Sequence, residues 1–293
     1  MSLFSKLTQM FGPASVPESE EDVLLAHTIA MTDPRLDSVP HYAETLRPLI
    51  DHARTYYEQS VNTLPGPVRL DGGSPLLPLI FTSPEDMRVG LGRSLEVRQH
   101  LPALLEEGHP RLCALLALRT RALPGARQFT LTDHTFGSLA TSPDGVRLSL
   151  RDAAFDSLLQ GFANTTHYRQ QKLELMLSQK ELLQAAAATH KVHTAGVSQS
   201  IDAHIYRANK DLSPERVLQN LVEWLGNPEP FLRLENRTGL TLKAEDEAAT
   251  VIHLPQLSCQ DRRQWLVCLA EFPAEMASAA LARETHPHRF IMI

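Results

Sequence analysis

The sequence predicts an α+β protein in which one or more antiparallel sheets pack on a long central helix, behind a helical N-terminal region. Three observations carry this expectation. The forty-three residues from Arg151 to His193 contain no proline and one glycine, Gly161, so nothing in them ends a helix outright. Steps of four and three residues from Phe155 visit Leu159, Phe162, Thr166, Arg169, Leu173, Met176, Lys180, Leu183 and Ala187, an apolar stripe interrupted three times. Alternating segments before and after this stretch, separated by proline and glycine clusters, have the period of strands.

A single helix over this stretch is roughly 65 Å long at 1.5 Å per residue, against a diameter near about 50 Å for a compact chain of this length. Either the helix breaks near Gly161 and the weak helix formers Asn164, Thr165 and Thr166, giving two consecutive helices, or its second half projects and takes a partner. Ser149, with Asp152 three places on, resembles a capping box and sets the expected start.

In chain order, residues 2 to 11 place Leu3, Phe4, Leu7, Met10 and Phe11 at helical spacing ahead of Gly12-Pro13, a short amphipathic leader. Leu3, Phe4, Leu7 and Phe11 are its candidate contact residues. With only Lys6 as a basic side chain, the leader suits docking back onto its own body first, a partner groove second and a membrane surface last. Helices follow over Val23 to Met31 and Pro40 to Val61. The texture change at Asn62 to Gly73 divides a helical N-terminal region, 1 to 65, from an α/β body, 66 to 225, with a C-terminal α/β cap at 226 to 293.

Within the body, Leu76 to Phe81 reads as an edge strand because of Pro78. Ser83-Pro84-Glu85-Asp86 is a strong helix start, and its helix reaches Glu107 with breaks expected at Gly90, Gly92 and Pro102. Leu112 to Thr120 is compatible with a strand though also helical by pattern, the alternation of Phe129, Leu131 and Asp133 reads as a strand, and Pro143-Asp144-Gly145 as a hairpin turn into a strand carrying Val146, Leu148 and Leu150. Beyond His193, Thr194 to Ser200 is a loop centred on Gly196. Ser213-Pro214-Glu215 starts a helix ending at Gly226. Phe231 to Leu234, Leu240 to Lys243 and Thr250 to Leu254 are strands, Gln264 to Phe272 is helix or buried strand, Pro273 to Arg283 is helix and Arg289 to Ile293 is a final strand.

Composition narrows function by exclusion. Against 28 Lys plus Arg stand 34 Asp plus Glu, a net charge of -6, which provides no long-range attraction for nucleic acid. Arg119, Arg121, Arg127 and Arg262-Arg263 lack the interleaved aromatics of a nucleic-acid groove. Three cysteines without a Cys-x-x-Cys pair and no signal segment suggest a reducing, cytoplasmic location. Catalytic spacing is missing too. Gly196-Val197-Ser198-Gln199-Ser200 lacks the last glycine of a nucleophile elbow, Gly90-Leu91-Gly92 lacks the third glycine of a dinucleotide loop, and Asp133 and His134 as neighbours in a strand point to opposite faces. No cofactor is implied. The expected function is therefore a cytoplasmic interaction or assembly protein without catalysis, binding a protein partner or a second copy through the leader or through Leu173, Met176 and Leu183 on the long helix. The alternative is a small-molecule hydrolase with a metal held by His190, His193 and His204.

Overall fold

The computed structural model describes residues 19–72, 74, 76–122, 129–190, 195–236, 240–242, 250–252, 254–259, 264–283 and 291. The expected leader and the expected strand from Arg289 lie outside this set, Ile291 excepted. The architecture is α+β, with an antiparallel sheet, helices at the N-terminal end and a very long helix. In order, helix α1 spans Glu20–Thr32, a 3-10 turn Pro34–Ser38, α2 Tyr42–Asn62, β1 Val68–Arg69, α3 Leu77–Ile80, α4 Pro84–Gly92 and α5 Leu95–Glu106. Strands β2, Arg111–Ala122, and β3, Phe129–Ala140, precede α6, Pro143–His190, α7, Ala195–Asp211, and α8, Pro214–Leu225. Last come β4 Leu232–Asn236, β5 Leu240–Leu242, β6 Thr250–Ile252, β7 Pro255–Cys259, β8 Gln264–Pro273 and α9 Ala274–Arg283. The chain groups into two compact units: residues 1–53 with 155–228, and 54–154 with 229–293.

The second unit is built on β8. This strand pairs antiparallel with β2 along one edge, while its other edge is shared by β7 near its start and, in parallel, by β1 near its end. β3 and β4 complete a six-stranded sheet of order β3-β2-β8-β7-β4 with β1 beside β8. The ambiguity over Gln264 to Phe272 resolves to strand because β8 is covered on both faces: Val267, Cys268, Leu269, Ala270 and Phe272 are all buried. A run buried on both sides has no polar alternation, which is why its period is silent. In register, Leu112, Ala114, Leu116 and Leu118 of β2 lie opposite Phe272, Ala270, Cys268 and Leu266. All eight belong to one apolar core, which Leu91, Val97 and Leu101 of α4 and α5 and Ala274, Ala277 and Ala280 of α9 join. Gly90 sits where α4 approaches β3 closely, and a Cβ there would lie 3.2 Å from both His134 Cβ and Phe136 Cε2.

Two expected strands are helical instead. Leu76 to Phe81 forms the single turn α3, with Pro78 in its first turn, where a missing N–H costs nothing. Residues 143 to 150 open α6. Ser142 Oγ accepts the Gly145 N–H and Ser142 carbonyl accepts the Val146 N–H, so Ser142 is the N-cap that Ser149 was expected to be. Packing agrees with period 3.6: Val146, Leu150 and Ala154 are buried, whereas Leu148, which a strand would align with them, is 48% exposed. Arg147 then donates to the Leu64 carbonyl at 3.0 Å, and Arg54 of α2 lies 3.4 Å from Asp152 of α6.

The first unit is helical. Val23, Leu24, Leu25 and Thr28 of α1, Leu46 and Ile50 of α2, Phe155, Leu158, Leu159 and Phe162 of α6, and Val217, Leu218 and Leu221 of α8 are buried. Trp224 Nε1 donates to the Leu158 carbonyl at 2.9 Å, and its ring meets Phe162 edge-on at 5.8 Å. His27 Nε2 lies 2.7 Å from Asp156.

Replacing Leu150 by Ala is expected to cost about 2–5 kcal/mol in urea unfolding, the usual range for a buried leucine. Leu148→Ser should change stability by about 0.5 kcal/mol or less, and Ser142→Ala by about 1 kcal/mol through the lost cap. Equal losses at 148 and 150 would restore the strand.

Candidate functional site

The most distinctive surface is the second half of α6 with α7. Gly161 does not end the helix: Thr165 Oγ1 donates back to its carbonyl at 2.9 Å and α6 runs unbroken to His190. The apolar stripe changes character along its length. Through Thr166 it is buried, and from Leu173 to Ala187 it is half-buried. The cover over this second part is α7. Ser198, Ile201, Ile205, Ala208 and Leu212 recur at alternating steps of three and four, half-buried or buried, which is the matching half of a two-helix seam. Lys180 Nζ bonds Asp202 Oδ1 at 2.7 Å, ten residues before the end of α6 and seven after the start of α7, so the two helices lie side by side there. The lysine that interrupts the stripe thus has its partner within the chain.

Leu173, Met176 and Leu183 therefore sit on this seam, half-buried. Another row of α6 is left open. Tyr168, Leu175 and Leu182 follow one another at seven-residue intervals and are 67%, 61% and 70% exposed. Seven residues are nearly two helical turns, so the three form one ridge. On α7, Val197 and Tyr206 are exposed as well. Residues Leu3, Phe4, Leu7 and Phe11 lie outside the described residues.

Beside this ridge a groove of about 370 Å³ runs where α6, α7 and α8 meet. Its cations are Arg169 and Lys172 of α6, Arg207 of α7 and Arg216 of α8, with His204 alongside. Among the described residues that line it Asp211 is the one carboxylate, and Met176, Ala208 and Leu212 form its apolar part.

The other sequence candidates have structural roles or lack geometry. Ser198 lies in the first turn of α7, not in a loop, so no strand-to-helix elbow presents its hydroxyl. His134 is buried, its Nε2 2.6 Å from the Ile80 carbonyl and its ring stacked on Phe81 at 4.5 Å. Asp133 is exposed and adopts a φ of 56°, a left-handed conformation that aspartate tolerates better than most residues. Gly90 and Gly92 are helical. Arg119 lies 4.4 Å over the Trp265 ring, while Arg127, Arg262 and Arg263 fall outside the described residues. So does His193; of the three histidines considered for a metal, His204 alone has a described side chain, and its Nδ1 lies 2.7 Å from the Ser200 carbonyl. Among the described residues no group of three metal-ligating side chains converges, and no helix is long and apolar enough to cross a membrane.

Two buried chemistries are notable. Burial pushes the Cys113 thiol up to about 11 and Cys268 up to about 12. Burial also raises the Glu96 carboxyl above its ordinary value, opposed by the Ser138 N–H it accepts and by His100. Comparison with known proteins produced no match to any family, curated protein or solved structure.

Native protein is expected to leave Cys113 and Cys268 unmodified by iodoacetamide at neutral pH and to expose both on unfolding, read by peptide mass spectrometry. Labelling of either in the native state would mean the sheet opens locally. For Glu96, a raised folded-state pKa means the folded protein holds its proton more tightly, so this group's contribution falls as pH rises above the unfolded value near 4.5. Glu96→Gln keeps the acceptor for Ser138 and removes the charge; its urea midpoint should equal or exceed wild type at neutral pH, with the gap closing in acid. A variant weakened most at neutral pH would show that the carboxylate stabilises the fold.

Proposed function

We propose that the protein is a non-catalytic interaction or assembly protein, and that the α6/α7 hairpin is its docking element. The observation that supports this is the ridge of Tyr168, Leu175 and Leu182, each more than half exposed on a helix whose other stripe is already covered within the chain. Burying one leucine is worth roughly 1.5–3 kcal/mol, so three aligned large side chains are costly to leave in water unless a partner covers them. Their seven-residue repeat suits a second helix laid alongside, by the same seam geometry that joins α6 to α7. The absence of catalytic spacing in the sequence is consistent with this reading, and the organised cation groove beside the ridge adds specificity rather than chemistry.

The test is to place a photo-crosslinking residue at Leu175, at Leu182 and, as a control, at exposed Gln184 in cells that express the protein. Adducts of defined mass from 175 and 182, lost in Tyr168→Ser, are expected, with none from 184. Light scattering over a concentration series then tells a second copy from a different protein. Dispersed adducts from all three positions, with a monomer at every concentration, would defeat the proposal.

A further inference from the structure

Among the described residues, arginines elsewhere on the surface are mostly matched with carboxylates: Arg35 with Asp33, Arg47 with Asp22, Arg54 with Asp152, Arg111 with Asp71 and Glu271, and Arg233 with Glu229 and Glu235. The groove breaks this pattern. Arg169, Lys172 and Arg207 are in no ion pair with a described residue, and among the described residues the Arg216 guanidinium bonds only the neutral amide of Gln219. Four permanent cations face one carboxylate, Asp211, in a chain whose net charge is -6. Like charges drawn from three helices repel one another unless an anion joins them.

The position of Lys172 ties this charge to the ridge. It lies four residues after Tyr168 and three before Leu175, so all three share a face of α6. One ligand lying along that face meets apolar side chains and cations together. A small phosphate compound would use only the cations, and the groove gives it no enclosure, since Lys172, His204, Arg207 and Arg216 are all exposed. An amphipathic helix uses both. Its apolar stripe covers Tyr168 and Leu175, and carboxylates on its flank reach Lys172, Arg169, Arg207 and Arg216, where each guanidinium fork can donate two parallel N–H bonds to a carboxylate.

Resting on the docking function proposed above, we infer that the element which docks is an amphipathic helix with acidic residues along one flank, selected by the Arg169, Lys172, Arg207 and Arg216 groove. The probe is a fluorescein-labelled peptide of about 20 residues with leucines at heptad spacing and glutamates on the flanking positions. Its counterparts carry glutamine or lysine in place of glutamate. Binding to the full-length protein is read by anisotropy at about 50 and 300 mM salt, with circular dichroism melts as the folding control for every variant.

The glutamate peptide should bind about tenfold or more tighter than the glutamine peptide at low salt, with the advantage shrinking at high salt. Lys172→Glu combined with Arg207→Glu should reverse the order, so that the lysine peptide binds best. Equal binding of glutamate and glutamine peptides, both weakened by Leu175→Glu, would overturn the acidic selectivity and leave the docking function standing. Failure of all three peptides, with inorganic pyrophosphate binding by calorimetry that Lys172→Glu abolishes, would overturn this inference in favour of a small-anion site; the crosslinking at 175 and 182 then decides the docking function separately.

Discussion

The constraint on which the helical unit depends is that an apolar stripe repeated along α6 must be covered along its length. Near its start the cover is supplied by residues such as Trp224, whose ring meets Phe162 and whose indole N–H bonds the Leu158 carbonyl. Farther on it is supplied by α7, which folds back at the end of α6 and lays Ile201, Ile205 and Leu212 along the seam. The three polar interruptions of the stripe fit this arrangement. Thr166 is buried, Arg169 opens into the groove, and Lys180 reaches Asp202 across the seam.

The sheet unit solves the same problem in two dimensions. β8 is apolar throughout its middle because both faces are covered, and both edges are bonded because β7 and β1 share the side away from β2. At the end of this arrangement, charge replaces apolar cover. Arg111 reaches Asp71 at 2.7 Å and Glu271, and Asp71 also takes Arg69. The Arg111 and Arg69 guanidiniums hold the Asp71 carboxyl well below the usual range. Such exposed pairs contribute modestly to stability, yet they show a chain that generally provides its own counter-charges. That habit is what makes the groove between α6, α7 and α8 informative.

Much of the helix punctuation was legible in the residues. Ser83-Pro84-Glu85 and Ser213-Pro214-Glu215 cap α4 and α8 as expected, with the serine oxygens accepting the N–H groups of Asp86 and Arg216. The same signal stood at Ser142-Pro143-Asp144 and was overridden by the hairpin appearance of Pro143-Asp144-Gly145, since one tripeptide serves either purpose. Leu76 to Phe81 is too short for period to discriminate, and residues 195 to 200 read as loop because Gly196 and polar neighbours outweigh a repeat that is complete only with Ile201, Ile205, Ala208 and Leu212.

By itself the sequence determined the class, the helix starts built from serine, proline and acid, and the existence of a long helix with repeating apolar residues, because caps and periodicity act within a few residues of one another. Tertiary structure decided which repeat would be seam and which would be surface. Leu173, Met176 and Leu183 form one apolar row of α6 and Tyr168, Leu175 and Leu182 another, and local pattern treats both alike. The distinction is made by α7, which covers the first row and leaves the second in water. The groove has the same origin. Arg169, Arg207 and Arg216 are far apart along the chain, and only the return of α7 and α8 beside α6 brings their charges to one place.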